Sequence, residues 1–136
     1  MNEYSFLRPL QTAVYGAMIA DTALMAQVTA VYDLIPPEAV CPYVVLTVQS
    51  GAAFLTKTRN GERLTVTITV VTAEPGFRAA QDIAAEVSHF VSEGSFLLSG
   101  AVLVTIQTRT ITCDLDETSR KVTARIVCEA IVQEAA

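Results

Sequence analysis

The chain is short of most features that would announce a chemistry. It has one histidine, no tryptophan and nine basic residues. Those nine are scattered along the chain, so no concentrated basic footprint for nucleic-acid recognition exists. No segment approaches the ~20 consecutive apolar residues that a membrane span needs; the longest apolar runs, such as Ala101 to Val104, are strand-sized. The N-terminus lacks a basic leader and carries apolar residues at helical spacing, so it does not read as a signal peptide. The cysteines Cys41, Cys113 and Cys128 are odd in number and match no metal or redox spacing, which implies free thiols. Cys113 and Cys128 fall on neighbouring predicted strands, but a turn near Asp116 places them out of register for a disulfide.

What is present is hydrophobicity. Apolar residues make up 51% of the 136-residue chain, and the mean hydropathy is +0.43. The length suits one domain, 1–136, with a core that needs no disulfides or metals. The apolar excess is high for a soluble monomer, and burial between subunits is the natural outlet. The net charge of −5 suits a protein that DNA passes without sticking.

The periodicity predicts a helix from Ser5 to Ala20, with Leu7, Leu10, Val14 and Ala17 forming the buried stripe and Phe6, Ala13 and Met18 flanking it. Asp21 is placed to cap a short second helix, Thr22 to Gln27. Val31 to Leu34 is extended and leads into Pro36-Pro37. Tyr43 to Val48 reads as a strand. From Gln49 to Glu62 the alternation breaks, predicting a long loop or open hairpin. Leu64 to Val70 alternates strictly with threonines, the clearest strand in the chain. After the Pro75-Gly76 turn a second amphipathic helix runs from Phe77 to Ser92, burying Ala80, Ile83, Ala84, Val87, Phe90 and Val91, with Gly94 ending it. Two long strands close the chain. Val102, Val104 and Ile106 share a face; the phase then shifts near Arg109 to Ile111 and Cys113, predicting a bulge. Asp114 to Ser119 is the turn, and Val122 to Val132 alternates to the end. The fold class is α+β: an antiparallel or mixed sheet of about four strands with two main helices packed on one face.

Candidate chemistry is thin. His89 sits at the edge of a helical apolar stripe, where a boundary residue is the ordinary reading, and no nucleophile adjoins it in sequence. Asp114, Asp116 and Glu117 cluster in the last turn. They fit a cation or acid–base pair, a solvated turn, or an interface. The Gly51–Gly61 segment lacks the spacing of a phosphate cradle. It holds Phe54 and Leu55, which a solvated loop has no reason to contain, beside Lys57 and Arg59. It is therefore either a mobile loop or a contact loop that orders on assembly.

The run Leu10-Gln11-Thr12-Ala13-Val14-Tyr15-Gly16-Ala17, followed by Ala20-Asp21 and Leu24, resembles the start of a family of phage tail-completion proteins. Val31-Tyr32-Asp33 with Pro36, then Pro42-Tyr43-Val44-Val45, is similar as well. So is the later order: a loop with Lys57 and Gly61, a strand ending near Val71, Gly76 opening a helix, and an acidic turn at Asp114 and Asp116 before a long final strand. Members often carry a tryptophan in the central strand, and this chain has none. The family occurs in siphophages, prophages and gene transfer agents. The resemblance implies a non-enzymatic structural virion protein without catalytic residues, cofactor or metal. It implies a tail terminator, made in the bacterial cytoplasm: a homo-hexameric ring on the last tail-tube ring that stops tube growth, faces the head-side connector or stopper, and lets DNA pass its lumen. No membrane is involved. Phe54, Leu55, Lys57, Arg59, Asp114, Asp116 and Glu117 are the candidate contacts with a neighbouring subunit or the tube. Rival readings are a stopper or adaptor of the same neck, a tube subunit, and a small cytosolic α+β enzyme using Cys113, His89 and Asp114.

Overall fold

The computed structural model describes residues 6–55 and 60–135. In chain order the elements are α1 (Leu7–Ala20), α2 (Thr22–Met25), β1 (Ala30–Tyr32), β2 (Tyr43–Leu55), β3 (Asn60–Thr72), α3 (Arg78–Glu93), β4 (Ala101–Leu115) and β5 (Val122–Glu134). The strands form one mixed sheet in the order β1-β2-β3-β5-β4. Only the β1–β2 pairing is parallel. This is the expected α+β class, with the extended piece around Val31 adding a fifth, three-residue strand.

The core forms where one face of the sheet meets the helices. Leu64, Val66, Ile68 and Val70 of β3 and Val122, Ala124, Ile126, Cys128, Ala130 and Val132 of β5 are buried, each leucine, valine or isoleucine among them contributing about 1.5–3 kcal/mol. Helix α3 lays down the predicted stripe Ala80, Ile83, Ala84, Val87, Phe90 and Val91. Helix α1 buries Leu10, Val14 and Met18, so Met18 sits at the centre of the stripe and Leu7 and Ala17 at its margins. The expected start at Ser5 lies outside the described residues.

Several boundaries differ from the sequence expectation, each for a local reason. Of the two expectations for Gln49 to Glu62, a long loop or an open hairpin, the structure shows the hairpin: β2 continues to Leu55, β3 begins at Asn60, and the two pair antiparallel. The alternation breaks there because the register shifts between Ser50 and Ala53, a bulge. Gly51 sits in that bulge, and a Cβ at this position would overlap the Arg63 carbonyl. Strand β4 carries two register shifts, the expected one between Thr108 and Thr110 and an earlier one between Leu103 and Thr105. The earlier bulge separates Val102 from Ile106. Val102 pairs with Gln133, while Ile106 pairs with Ala130 on the core face. Asp114 lies on β4 and not in the turn, which begins at Asp116.

Gly94 does end α3, but in an extended conformation (φ −71°, ψ 151°) and not a left-handed one. Its lack of a side chain matters for another reason: a Cβ would approach the Phe90 carbonyl to 2.8 Å and the Phe96 ring to 2.6 Å. Phe96 folds back edge-on to Phe90, ring centres 5.4 Å apart.

Candidate functional site

The sequence candidates fall at two places that the fold keeps apart. Phe54 and Leu55 end β2 at the tip of the β2–β3 hairpin; their side chains lie outside the described set, and Lys57 and Arg59 lie outside the described residues altogether. Asp114, Asp116 and Glu117 belong to the end of β4 and its turn into β5. The register decides the distance. Gly61 pairs with Gln133 at the hairpin-tip end of the sheet, and Thr72 pairs with Val122 at the turn end. At ~3.3 Å per residue these ends are roughly 36 Å apart. The structure therefore does not join them into one site.

The acidic turn is locally satisfied. The Asp116 carboxylate accepts from the Thr118 N–H at 3.0 Å and the Ser119 N–H at 3.5 Å. These bonds hold its pKa below the ordinary value. Arg120 closes the turn with φ 63°, its N–H donating to the Asp116 carbonyl at 2.7 Å. This is the Asx-type geometry expected of a solvated turn. Among the described residues, no group of His, Cys, Asp and Glu could hold a metal.

The groups of the rival enzyme reading are poorly suited to nucleophilic work. His89 is exposed on α3. Burial, then the neighbouring Asp114 charge, pushes the Cys113 thiol up from its ordinary pKa, the opposite of what activates a cysteine. Cys128 is buried beside the Thr108 hydroxyl and is also pushed up by burial. All three cysteines are free; Cys113 pairs across the sheet with Ala124, and Cys128 with Thr108.

Two polar arrangements escaped sequence reasoning because their partners are far apart in the chain. Glu62, only 8% exposed, accepts from the Phe6 N–H at 2.9 Å. A carboxylate of β3 thus supplies the negative charge favoured at the start of α1. On the sheet face that carries no helix, Glu129 holds Arg109 at 2.6 Å and Arg63 at 3.2 Å. The Arg109 hydrogen bond is the main reason the Glu129 carboxyl lies below its ordinary pKa; burial opposes it, and the charges of Arg109 and Arg63 add to it. The rest of this face is largely threonine and glutamine: Thr65 and Thr67 of β3 line up with Glu129 and Val127 of β5.

The family described as "Tail completion protein gp17" matches this chain over residues 12–133. The chain belongs to this tail-completion family. It is also similar to a chain of a solved structure described as "Virion of native gene transfer agent (GTA) particle", with TM-score 0.86 and 32% identity, covering 96% of this chain and 99% of that one. No curated protein matches it. The tail-completion protein is thus a structural component of a phage-like tail, located in the virion and assembled with other tail proteins. Such a family points away from catalysis, in line with the raised cysteine pKa values. No helix among the described residues is long and apolar enough to cross a membrane.

Proposed function

We propose that this tail-completion protein forms a homo-hexameric ring on the head-proximal end of the tail tube. The ring ends tube polymerisation, offers its far side to the head connector or stopper, and leaves a lumen through which DNA passes without specific binding. One observation carries the reading: the hairpin tip and the acidic turn project from opposite ends of a single sheet. A ring held between a tube and a connector needs two such contact ends, one for each partner. In this reading Phe54, Leu55, Lys57 and Arg59 form one contact, and Asp114, Asp116 and Glu117 form the other. The net charge of −5 disfavours retention of DNA in the lumen.

The test is Phe54→Asp. It is expected to yield tails that fail to join heads, seen as free tails and full heads by electron microscopy. Normal particle titres from this variant would sink the assignment of the hairpin tip.

A further inference from the structure

The two helices on the sheet differ in the surface they turn outward. Helix α3 presents Arg78, Gln81, Asp82, His89, Ser92 and Glu93 to solvent, the polar face that a solvated amphipathic helix shows. After Arg8, α1 presents Thr12, Tyr15, Gly16, Ile19 and Ala20. No charged residue occurs from Pro9 to Ala20. Ile19 is 48% exposed, and Gly16 has nothing within 4 Å of the place of its missing Cβ, so among the described residues this smoothness serves no packing. Beside α1 a cleft of about 680 Å³ opens among Arg8, Gln11, Tyr15, Tyr32 at the end of β1 and Asp33 just after it, so it carries one charge of each sign. Exposed Leu34 and Ile35 follow directly.

The opposite edge of the sheet shows the same anomaly. Strand β4 is an unpaired edge, yet no charge occurs from Gly94 to Thr108. Natural edge strands are guarded by charges, proline or brevity; β1, at the other edge, is guarded by being three residues long. On the β4 side Val104 is 52% exposed at the bulge and Leu97 is 89% exposed, thrown outward because Phe96 next to it packs inward on Phe90.

We infer that the ring closes by seating the β4 edge and Leu97 of one copy against the uncharged outer face of α1, residues 9–20, and the exposed apolar residues that follow β1 in the next copy. This rests on the ring reading above. A cyclic ring requires two different, mutually fitting patches on each subunit. These two lie at opposite edges of one sheet, as head-to-tail contact demands. Their lengths agree: the uncharged part of β4, residues 101–108, spans ~26 Å as a strand, and the 14 residues of α1 span ~21 Å as a helix. A stable interface buries roughly 800 Å² per partner, and the exposed Leu34, Ile35 and Val40 beside β1 extend the apolar surface of α1 toward that size. The edges of the sheet thereby serve neighbours in the ring, and its ends remain for tube and connector.

The experiment compares Ile19→Asp, Val104→Asp and the control Gln81→Asp on the solvated face of α3. Copies retained per purified tail are measured by quantitative mass spectrometry, with circular dichroism melts confirming that each variant folds. Both interface variants are expected to drop occupancy tenfold or more, and the control to leave it unchanged. In parallel, a chain carrying Ile19→Cys and Val104→Cys, with Cys41 and Cys113 replaced by serine in this chain and in its single-cysteine and parent controls because both are free and only half-buried, is treated in tails with a short bis-thiol crosslinker. It should give a ladder from dimer to closed ring, and either single variant should give none above the parent background. Dimers from Val104→Cys alone would mean edge-to-edge pairing and would overturn the inference. Normal occupancy of both folded aspartate variants in a ring of wild-type mass would overturn the inference and leave the ring standing. A wild-type protein that forms no ring in tails would remove both.

Discussion

Replacing Gly51 by alanine should destabilise the fold, and replacing Gly16 by alanine should stabilise it. Gly51 lies in the β2 bulge, where a Cβ would overlap both the oxygen and the carbon of the Arg63 carbonyl. Both atoms are backbone, so relief requires prising β2 from β3 where their register shifts between Ser50 and Ala53. Overpacking of this kind costs about 1–3 kcal/mol, or a drop in Tm of ~5–10 °C for a domain of this size. Gly16 lies inside α1, and a Cβ there meets nothing within 4 Å. Alanine at that place removes the helix penalty of glycine, about 0.5–1 kcal/mol, and should raise Tm by ~2–4 °C. The assay is urea and thermal unfolding by circular dichroism, at a concentration where the chain is monomeric so that assembly does not enter. The midpoints should move in opposite directions with the urea slope unchanged. Equal midpoints for Gly51→Ala and wild type would refute the close backbone approach and, with it, the account of why alternation breaks at this point.

Arg120 holds a left-handed φ of 63°, a conformation that costs a non-glycine residue about 1 kcal/mol; Arg120→Gly should therefore leave Tm unchanged or raise it by a few degrees in a thermal melt. Glu129 is held below its ordinary pKa by Arg109, so its contribution is present above the unfolded carboxylate pKa and is lost as pH falls through the folded one. Wild type should exceed Glu129→Gln in urea midpoint at neutral pH, by a small margin since the pair is partly solvated, and the margin should vanish in acid. Cys113 has its thiol pKa raised by burial and by Asp114, so Cys113→Ser should leave particle titre unchanged; loss of titre from a folded variant would revive the enzyme reading.

The parts of the fold that sequence revealed are those where one face is buried and the other is wet. The stripe of α3 and the alternation of β5 are legible because each buried position is flanked by a polar one. The N-cap Asp21 was legible for the same local reason, and its carboxylate accepts from the Leu24 N–H at 3.1 Å. Strand β4 was less so, since two bulges in one strand shift the phase twice, and Val104 at the first bulge still looks like a core residue in a list of letters. The length of β2 was hidden by Gly51, whose role is a close backbone approach and not a turn. Glu62 at the start of α1 was hidden because nothing in a local window connects it to Phe6. The candidate contacts rest on a different signal, apolar residues in a segment whose alternation breaks and acidic residues gathered before the last strand. That signal located the hairpin tip and the acidic turn, but it passed over the uncharged outer face of α1. An amphipathic pattern shows which face is buried in the chain, and only the structure shows that the other face is smooth.

The central claim is that a fixed ring closes the tube. The most direct measurement is the number of copies per tail in purified tails of differing length, counted by quantitative mass spectrometry against the tube subunit and located by gold labelling. A ring that closes the tube gives one hexamer per tail at the head-proximal end, whatever the length. A copy number that grows with tail length, or label spread along the tube, would contradict it.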